Sequence, residues 1–151
     1  MDALELHSPG KSLNSGKLAL RILVIDDDEC VGAAIQAILA RRRYETKLAS
    51  RAYAGIKTLE SSGFDAAVID LFLPGMSGLD TISHIRRGSA IPIVAMSGFR
   101  LRSPLNAIDY VSLAMERGAS TFIHKPFAPQ QLVEAIDWSI NAASSIRPST
   151  Q

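Results

Sequence analysis

Apolar and polar positions alternate along this chain in blocks, and the blocks repeat five times. Five short runs read as strands, and all but the second are largely apolar and carry β-branched residues. They are Arg21-Ile22-Leu23-Val24-Ile25, residues 44–49, Ala66-Ala67-Val68-Ile69, Ile91-Pro92-Ile93-Val94-Ala95-Met96 and Thr121-Phe122-Ile123. Continuous apolar runs of this length predict strands buried on both faces of a parallel sheet. Between them the period changes to that of helices. Val31, Ile35, Ile38 and Leu39 form one apolar stripe, and Arg41-Arg42-Arg43 closes that helix. Ser50 is the predicted N-cap of a second helix that buries Ala52, Ile56 and Leu59 and ends at Gly63. Ser77 is the predicted cap of a third, carrying Leu79 and Ile82. Ser103-Pro104 reads as the start of a fourth helix running to Arg117, with Gly118-Ala119 as its exit. The last begins near Pro129 and buries Leu132, Ile136 and Ile140.

Strands and helices alternating in this way imply an α/β domain, a parallel sheet covered on both faces. Right-handed crossovers narrow it to a doubly wound sheet of five strands. Ligands in such folds bind beyond the carboxyl ends of the strands. The polar residues that interrupt the apolar runs fall at that edge. Asp26 and Asp27 end the first strand, Asp70 the third and Ser97 the fourth, while Lys125 follows the fifth.

Composition changes the picture only at its margins. The chain has 151 residues, 47% of them hydrophobic, which suits one domain with a proper core. A formal net charge of +1 argues against a general nucleic-acid binder, and Arg41-Arg42-Arg43 is read as a solvated helix end favoured by the macrodipole. One cysteine, Cys30, excludes an internal disulfide framework and fits a reducing compartment. No apolar run approaches the ~20 residues that span a bilayer, and no signal peptide is visible. The expectation is a cytoplasmic protein with no membrane contact. Ser8-Pro9-Gly10 and Asn14-Ser15-Gly16 mark residues 1–19 as a flexible tail. Residues 20–145 are the expected domain and 146–151 a short C-terminal tail, with no output domain after it.

Three carboxylates at one edge repel one another. At about 4 Å and an effective dielectric of about 20, each like-charged pair costs ~4 kcal/mol. A bound proton or a cation must relieve this. The donors are all oxygens, which favours a hard ion such as Mg²⁺. His7, His84 and His124 lack the spacing of a zinc site. Asp70 then reads as a nucleophile for a phosphoryl group. Lys125 supplies a compact positive charge to it, and Ser97 a hydroxyl donor with Gly98 beside it to keep the approach open. Asp28 and Glu29 read as helix-start charges rather than ligands.

Three motifs in order carry a family resemblance: Ile22-Leu23-Val24-Ile25-Asp26-Asp27-Asp28-Glu29, Asp70-Leu71-Phe72-Leu73-Pro74-Gly75-Met76-Ser77-Gly78 and Lys125-Pro126-Phe127. The chain resembles the receiver domain of two-component response regulators over about residues 20–143. The resemblance implies a flavodoxin-like (βα)5 sheet of order 2-1-3-4-5. It makes Asp70 the phosphoacceptor, Asp27 a direct Mg²⁺ ligand and Asp26 an acidic-pocket partner acting partly through water. The backbone carbonyl of Phe72 becomes a further ligand. Ser97 takes the switch hydroxyl position and Phe122 the switch aromatic position, and the Lys125-Pro126 bond is expected to be cis. The implied protein is a single-domain switch rather than an enzyme. A sensor histidine kinase or a histidine phosphotransfer protein would phosphorylate it. The face of helix four, strand five and helix five would then bind a target protein, with no direct nucleic-acid contact and homodimerisation left open.

Two departures qualify the resemblance. Lys125 lies 28 residues after Ser97, more than is usual, so either the loop from Gly98 to Ser103 is long or helix four begins differently. Phe72 and Phe99 occupy the two positions flanking the site, where apolar rings are expected to hinder water and prolong the phosphoryl group's life. A receiver-like scaffold that binds partners without phosphorylation is the alternative reading. The intact Asp26, Asp27, Asp70 and Lys125 count against it.

Overall fold

The computed structural model describes residues 19–98 and 109–146. Five strands and five helices alternate: β1 (Arg21–Ile25), α1 (Glu29–Ala40), β2 (Glu45–Ala49), α2 (Ala52–Ser61), β3 (Ala66–Asp70), α3 (Gly78–Gly88), β4 (Ile93–Ser97), α4 (Tyr110–Arg117), β5 (Thr121–His124) and α5 (Pro129–Ile146). All pairings are parallel and the sheet order is β2-β1-β3-β4-β5. Every residue of β3 and β4 is buried, which is why those runs carry no polar residue before their last position.

Side-chain alternation divides the core in two. Leu23, Ile25, Ala67, Ile69, Ile93 and Ala95 face α2, α3 and α4, where Ile56, Ile82, Ile85 and Ala114 meet them. Ile22, Val24, Ala66, Val68, Val94 and Met96 face α1 and α5, against Ile35, Leu39, Leu132 and Ile136. No helix among the described residues is long and apolar enough to cross a membrane.

Two helix starts differ from the sequence expectation. α2 begins after Arg51, which is extended and makes no side-chain cap bond, so Ser50 is not its cap. α4 begins at Tyr110 with Asp109 as N-cap, its carboxylate accepting from the Ser112 N–H at 3.1 Å and the Ser112 hydroxyl at 2.6 Å. A helix running unbroken from Ser103 is therefore ruled out. Ser103 and Pro104 themselves lie outside the described residues, as do Phe99, residues 1–18 and residues 147–151. Asp28 caps α1 by accepting from the N–H groups of Cys30 and Val31, and Ser77 caps α3 through Asp80 N–H.

The start of α3 sits hard against the end of β3. A Cβ on Gly78 would lie 2.2 Å from the Asp70 carbonyl oxygen and 2.4 Å from the Leu71 Cα, both backbone atoms. Only a glycine allows that approach, and the Gly78 N–H donates to Leu71 O at 2.9 Å. Gly78→Ala is expected to lower the urea midpoint with little change in m, a loss of about 1–3 kcal/mol. An unchanged midpoint would show that the loop yields freely.

Candidate phosphoacceptor site

The sheet register assembles the site. Ile25 pairs with Ile69, so Asp26 and Asp70 leave neighbouring strands at the same level. Asp70 pairs with Met96, which sets Ser97 one step further along the next strand. Ser97 pairs with His124, and the Lys125 N–H donates to the Ser97 carbonyl at 2.6 Å. Oxygen atoms of Asp26, Asp27 and Asp70 all lie within 4.8 Å of one another. Asp26 and Asp70 are buried, each 5% exposed, while Asp27 opens to solvent.

Lys125 answers the two buried acids. Its Nζ donates to Asp26 Oδ2 at 2.8 Å and to Asp70 Oδ2 at 3.1 Å. The other oxygens are held by backbone. Asp28 N–H donates to Asp26 Oδ1 at 2.9 Å and Phe72 N–H to Asp70 Oδ1 at 3.0 Å. Both carboxylates are thereby fixed in orientation by the loops that follow their own strands.

Burial pushes the Asp70 carboxyl above the usual carboxylate range. The Phe72 N–H and the Lys125 charge pull it back, and the Asp26 carboxylate adds to the rise. Burial alone would lower the Lys125 ammonium. The hydrogen bond to Asp26 and the charges of Asp70 and Asp26 outweigh it and hold Lys125 above its ordinary value. The site is thus short of positive charge even with its lysine in place. Three oxygen donors, one of them open to solvent, fit a hard divalent cation such as Mg²⁺.

The remaining expected residues divide. Ser97 is fully buried, and among the described residues its hydroxyl has no hydrogen-bond partner. Such a group is costly unless something arrives to bond it. Phe122 is half-buried against the α4-side core, with its ring edge-on to the exposed His124 at 5.0 Å. The Lys125-Pro126 bond is cis. Gly98 follows β4 directly, half-buried, and Phe99 is beyond the described residues.

Phe72 has a neighbour that the sequence did not announce. Its ring meets Tyr110, the first residue of α4, edge-on at 5.2 Å between centroids and 69° between planes. A tyrosine at a helix start has no distinguishing pattern, and only the spatial approach of α4 to the loop after β3 reveals it.

A family model for the response regulator receiver domain matches residues 22–137. The chain belongs to this family. Among curated receivers, the DNA-binding response regulator MtrA of Mycolicibacterium paratuberculosis is 31% identical over 116 residues, covering 77% of this chain and 49% of that protein. The transcriptional regulatory protein YrkP of Bacillus subtilis is 31% identical over 115 residues, covering 76% and 47%. The chain spans about half the length of the curated relatives it matches. A receiver domain protein from Clostridium thermocellum superposes with a TM-score of 0.74 at 26% identity, covering 85% of this chain and 99% of that one. A CheY-like receiver from Methanospirillum hungatei gives 0.73 at 26%, covering 84% and 98%. The fold and the receiver assignment therefore agree.

The raised Asp70 carboxyl makes a signed prediction. Its folded form holds its proton more tightly than the unfolded chain does. Deprotonation at neutral pH therefore favours unfolding, and below the ordinary carboxylate range the penalty vanishes. Without divalent metal, Asp70→Asn is expected to raise Tm at pH 7, by about 3 °C for each kcal/mol relieved. The gain should disappear as pH falls through the carboxylate range. A lower Tm for the variant at pH 7 would mean that the Lys125 pairing outweighs burial.

Proposed function

We propose that this receiver accepts a phosphoryl group on Asp70 and that the event changes a protein-binding surface. The observation that carries the reading is the arrangement around Asp70. A buried nucleophilic carboxylate is held by one backbone N–H and one ammonium, beside two further acids. In the reaction an Asp70 carboxylate oxygen attacks the donor phosphorus. The bond from phosphorus to the donor's leaving atom breaks, and its electron pair leaves with the donor. With a phosphohistidine donor that atom is an imidazole nitrogen, and with an acyl phosphate it is a carboxylate oxygen.

Asp26, Asp27 and Asp70, with the Phe72 carbonyl, would hold the Mg²⁺ ion. When bound it supplies charge neutralisation for the phosphoryl oxygens. Lys125 neutralises the buried acids beforehand and gives an incoming phosphoryl oxygen a charged donor. The Ser97 hydroxyl, buried and unpartnered among the described residues, supplies a neutral one. Moving a two-state switch from 1:99 to 99:1 takes ~5.5 kcal/mol of differential stabilisation. Hydrogen bonds to charged groups contribute about 1.5–3 kcal/mol each, so Lys125, Ser97 and the cation are together of the right size.

The proposed donors are a sensor histidine kinase or a histidine phosphotransfer protein. The proposed output face is α4, β5 and α5, where Phe122 takes the aromatic switch role. Exposed apolar side chains support it: Val111 and Met115 on α4 and Trp138 on α5. A protein target is the matching partner, in the cytoplasm.

Incubation with Mg²⁺ and a small acyl phosphate is expected to give a single phosphoryl adduct by intact mass. The adduct should be absent in Asp70→Asn and in wild type with excess chelator. Lys125→Met should slow its formation roughly 10- to 150-fold, the equivalent of one charge-assisted hydrogen bond. An adduct that survives in Asp70→Asn would place the chemistry elsewhere. No adduct on wild type, together with no binding of beryllofluoride and Mg²⁺, would leave a scaffold.

A further inference from the structure

α4 is attached unevenly. At its carboxyl end Gly118 adopts φ 119°, and a Cβ there would lie 2.5 Å from the Arg86 side chain. Arg86 Nε donates to the Gly118 carbonyl at 2.8 Å, and Arg117 reaches Asp80 at 3.3 Å and Ser83 at 3.0 Å. All three partners lie on α3, so that end is bolted to a neighbouring helix. At its amino end, the Asp109 cap is internal to the helix start. The aromatic contact that ties this end to another element is the one between Tyr110 and Phe72.

Phe72 is joined to the acceptor by its own backbone, since its N–H holds Asp70 Oδ1. Its ring is half-buried and packs, like Tyr110, on the partly exposed rim of the α4-side core. The Phe72 nitrogen lies 3.0 Å from Asp70 Oδ1, so its side chain leaves the backbone close to the carboxylate, and the rotamer it keeps bears on how freely water would reach the phosphorus. The edge-on ring of Tyr110 restricts that rotamer.

We infer that Tyr110 is a positioning residue for the acceptor site, acting through the Phe72 ring to keep water from the phosphorylated Asp70. This rests on the proposed phosphorylation of Asp70 and adds a residue to it. In the step it controls, a water oxygen attacks phosphorus and the bond between phosphorus and the Asp70 oxygen breaks. The electron pair returns to the carboxylate, and inorganic phosphate leaves with the water's oxygen. Tyr110 touches none of the reacting atoms. Removing it frees the Phe72 ring, and hydrolysis becomes faster.

The test is a double-mutant cycle on the lifetime of the adduct made with acyl phosphate and Mg²⁺, followed by intact mass. Tyr110→Leu should shorten the half-life about 2- to 12-fold, the range of an aromatic pair expressed as a rate. Tyr110→Phe, which keeps the ring, should restore it. Phe72→Leu should shorten it too, and adding Tyr110→Leu to Phe72→Leu should change little further. A half-life unchanged or lengthened in Tyr110→Leu would overturn the inference while a normal adduct leaves the acceptor role standing. Fully multiplicative effects would overturn it as well, because Tyr110 would then act by another route. Absence of any adduct on wild type would instead remove the acceptor role and this inference together.

Discussion

The structure depends on a shortage of positive charge at one edge of its sheet. Two carboxylates are buried there within reach of each other and of a third, and one ammonium serves both. That ammonium comes from beyond β5, while its acids end β1 and β3. In the order β2-β1-β3-β4-β5 the Lys125 side chain must therefore pass the end of β4. The residue at that end is Ser97, which is fully buried and whose carbonyl accepts from the Lys125 N–H. Strand order and register thus meet one condition, the need to compensate buried charge.

Both faces of the sheet are closed by apolar packing. On the α1 and α5 side the strand residues are almost wholly inaccessible, and the half-buried rings of Tyr44 and Phe127 pack around them. On the α2, α3 and α4 side, the half-buried rings of Phe72, Tyr110 and Phe122 pack at the rim of the core. The Arg86 and Arg117 bonds hold the carboxyl end of α4 to α3, and Tyr110 at its amino end meets the ring of Phe72.

Much of this was legible in the chain because the strongest signals and the strongest physical constraints coincide. A strand buried on both faces cannot hide a polar residue, so Asp26, Asp70 and Ser97 mark the ends of their strands and the edge at which they meet. Lys125 was legible by position for the same reason. What was not legible is whatever depends on contacts distant in sequence. Ser103-Pro104 is a sound local start signal, yet α4 takes its cap from Asp109, six residues later. Ser50 lost the α2 cap to Arg51, which offers no side-chain bond at all. Propensity ranks caps, whereas packing against the sheet decides which turn of chain becomes the helix. Tyr110 had no signal, since its significance lies wholly in the ring it meets.

Hydrogen-bond capacity explains how so compact a cluster is still open to chemistry. Each Asp70 oxygen already accepts one bond, Oδ1 from Phe72 and Oδ2 from Lys125, and each Asp26 oxygen does the same from Asp28 and Lys125. An ionised carboxylate offers about four lone-pair sites, so each of these groups has half its capacity in use. The occupied half fixes orientation, and the remainder is available to a cation or an electrophile. Since backbone groups supply two of the four bonds, the carboxylates keep their places when charge arrives. Preorganisation of this kind lowers the reorganisation that the proposed phosphoryl transfer would require. One of those two bonds comes from the Phe72 peptide, which therefore joins the Asp70 carboxylate directly to the ring that meets Tyr110.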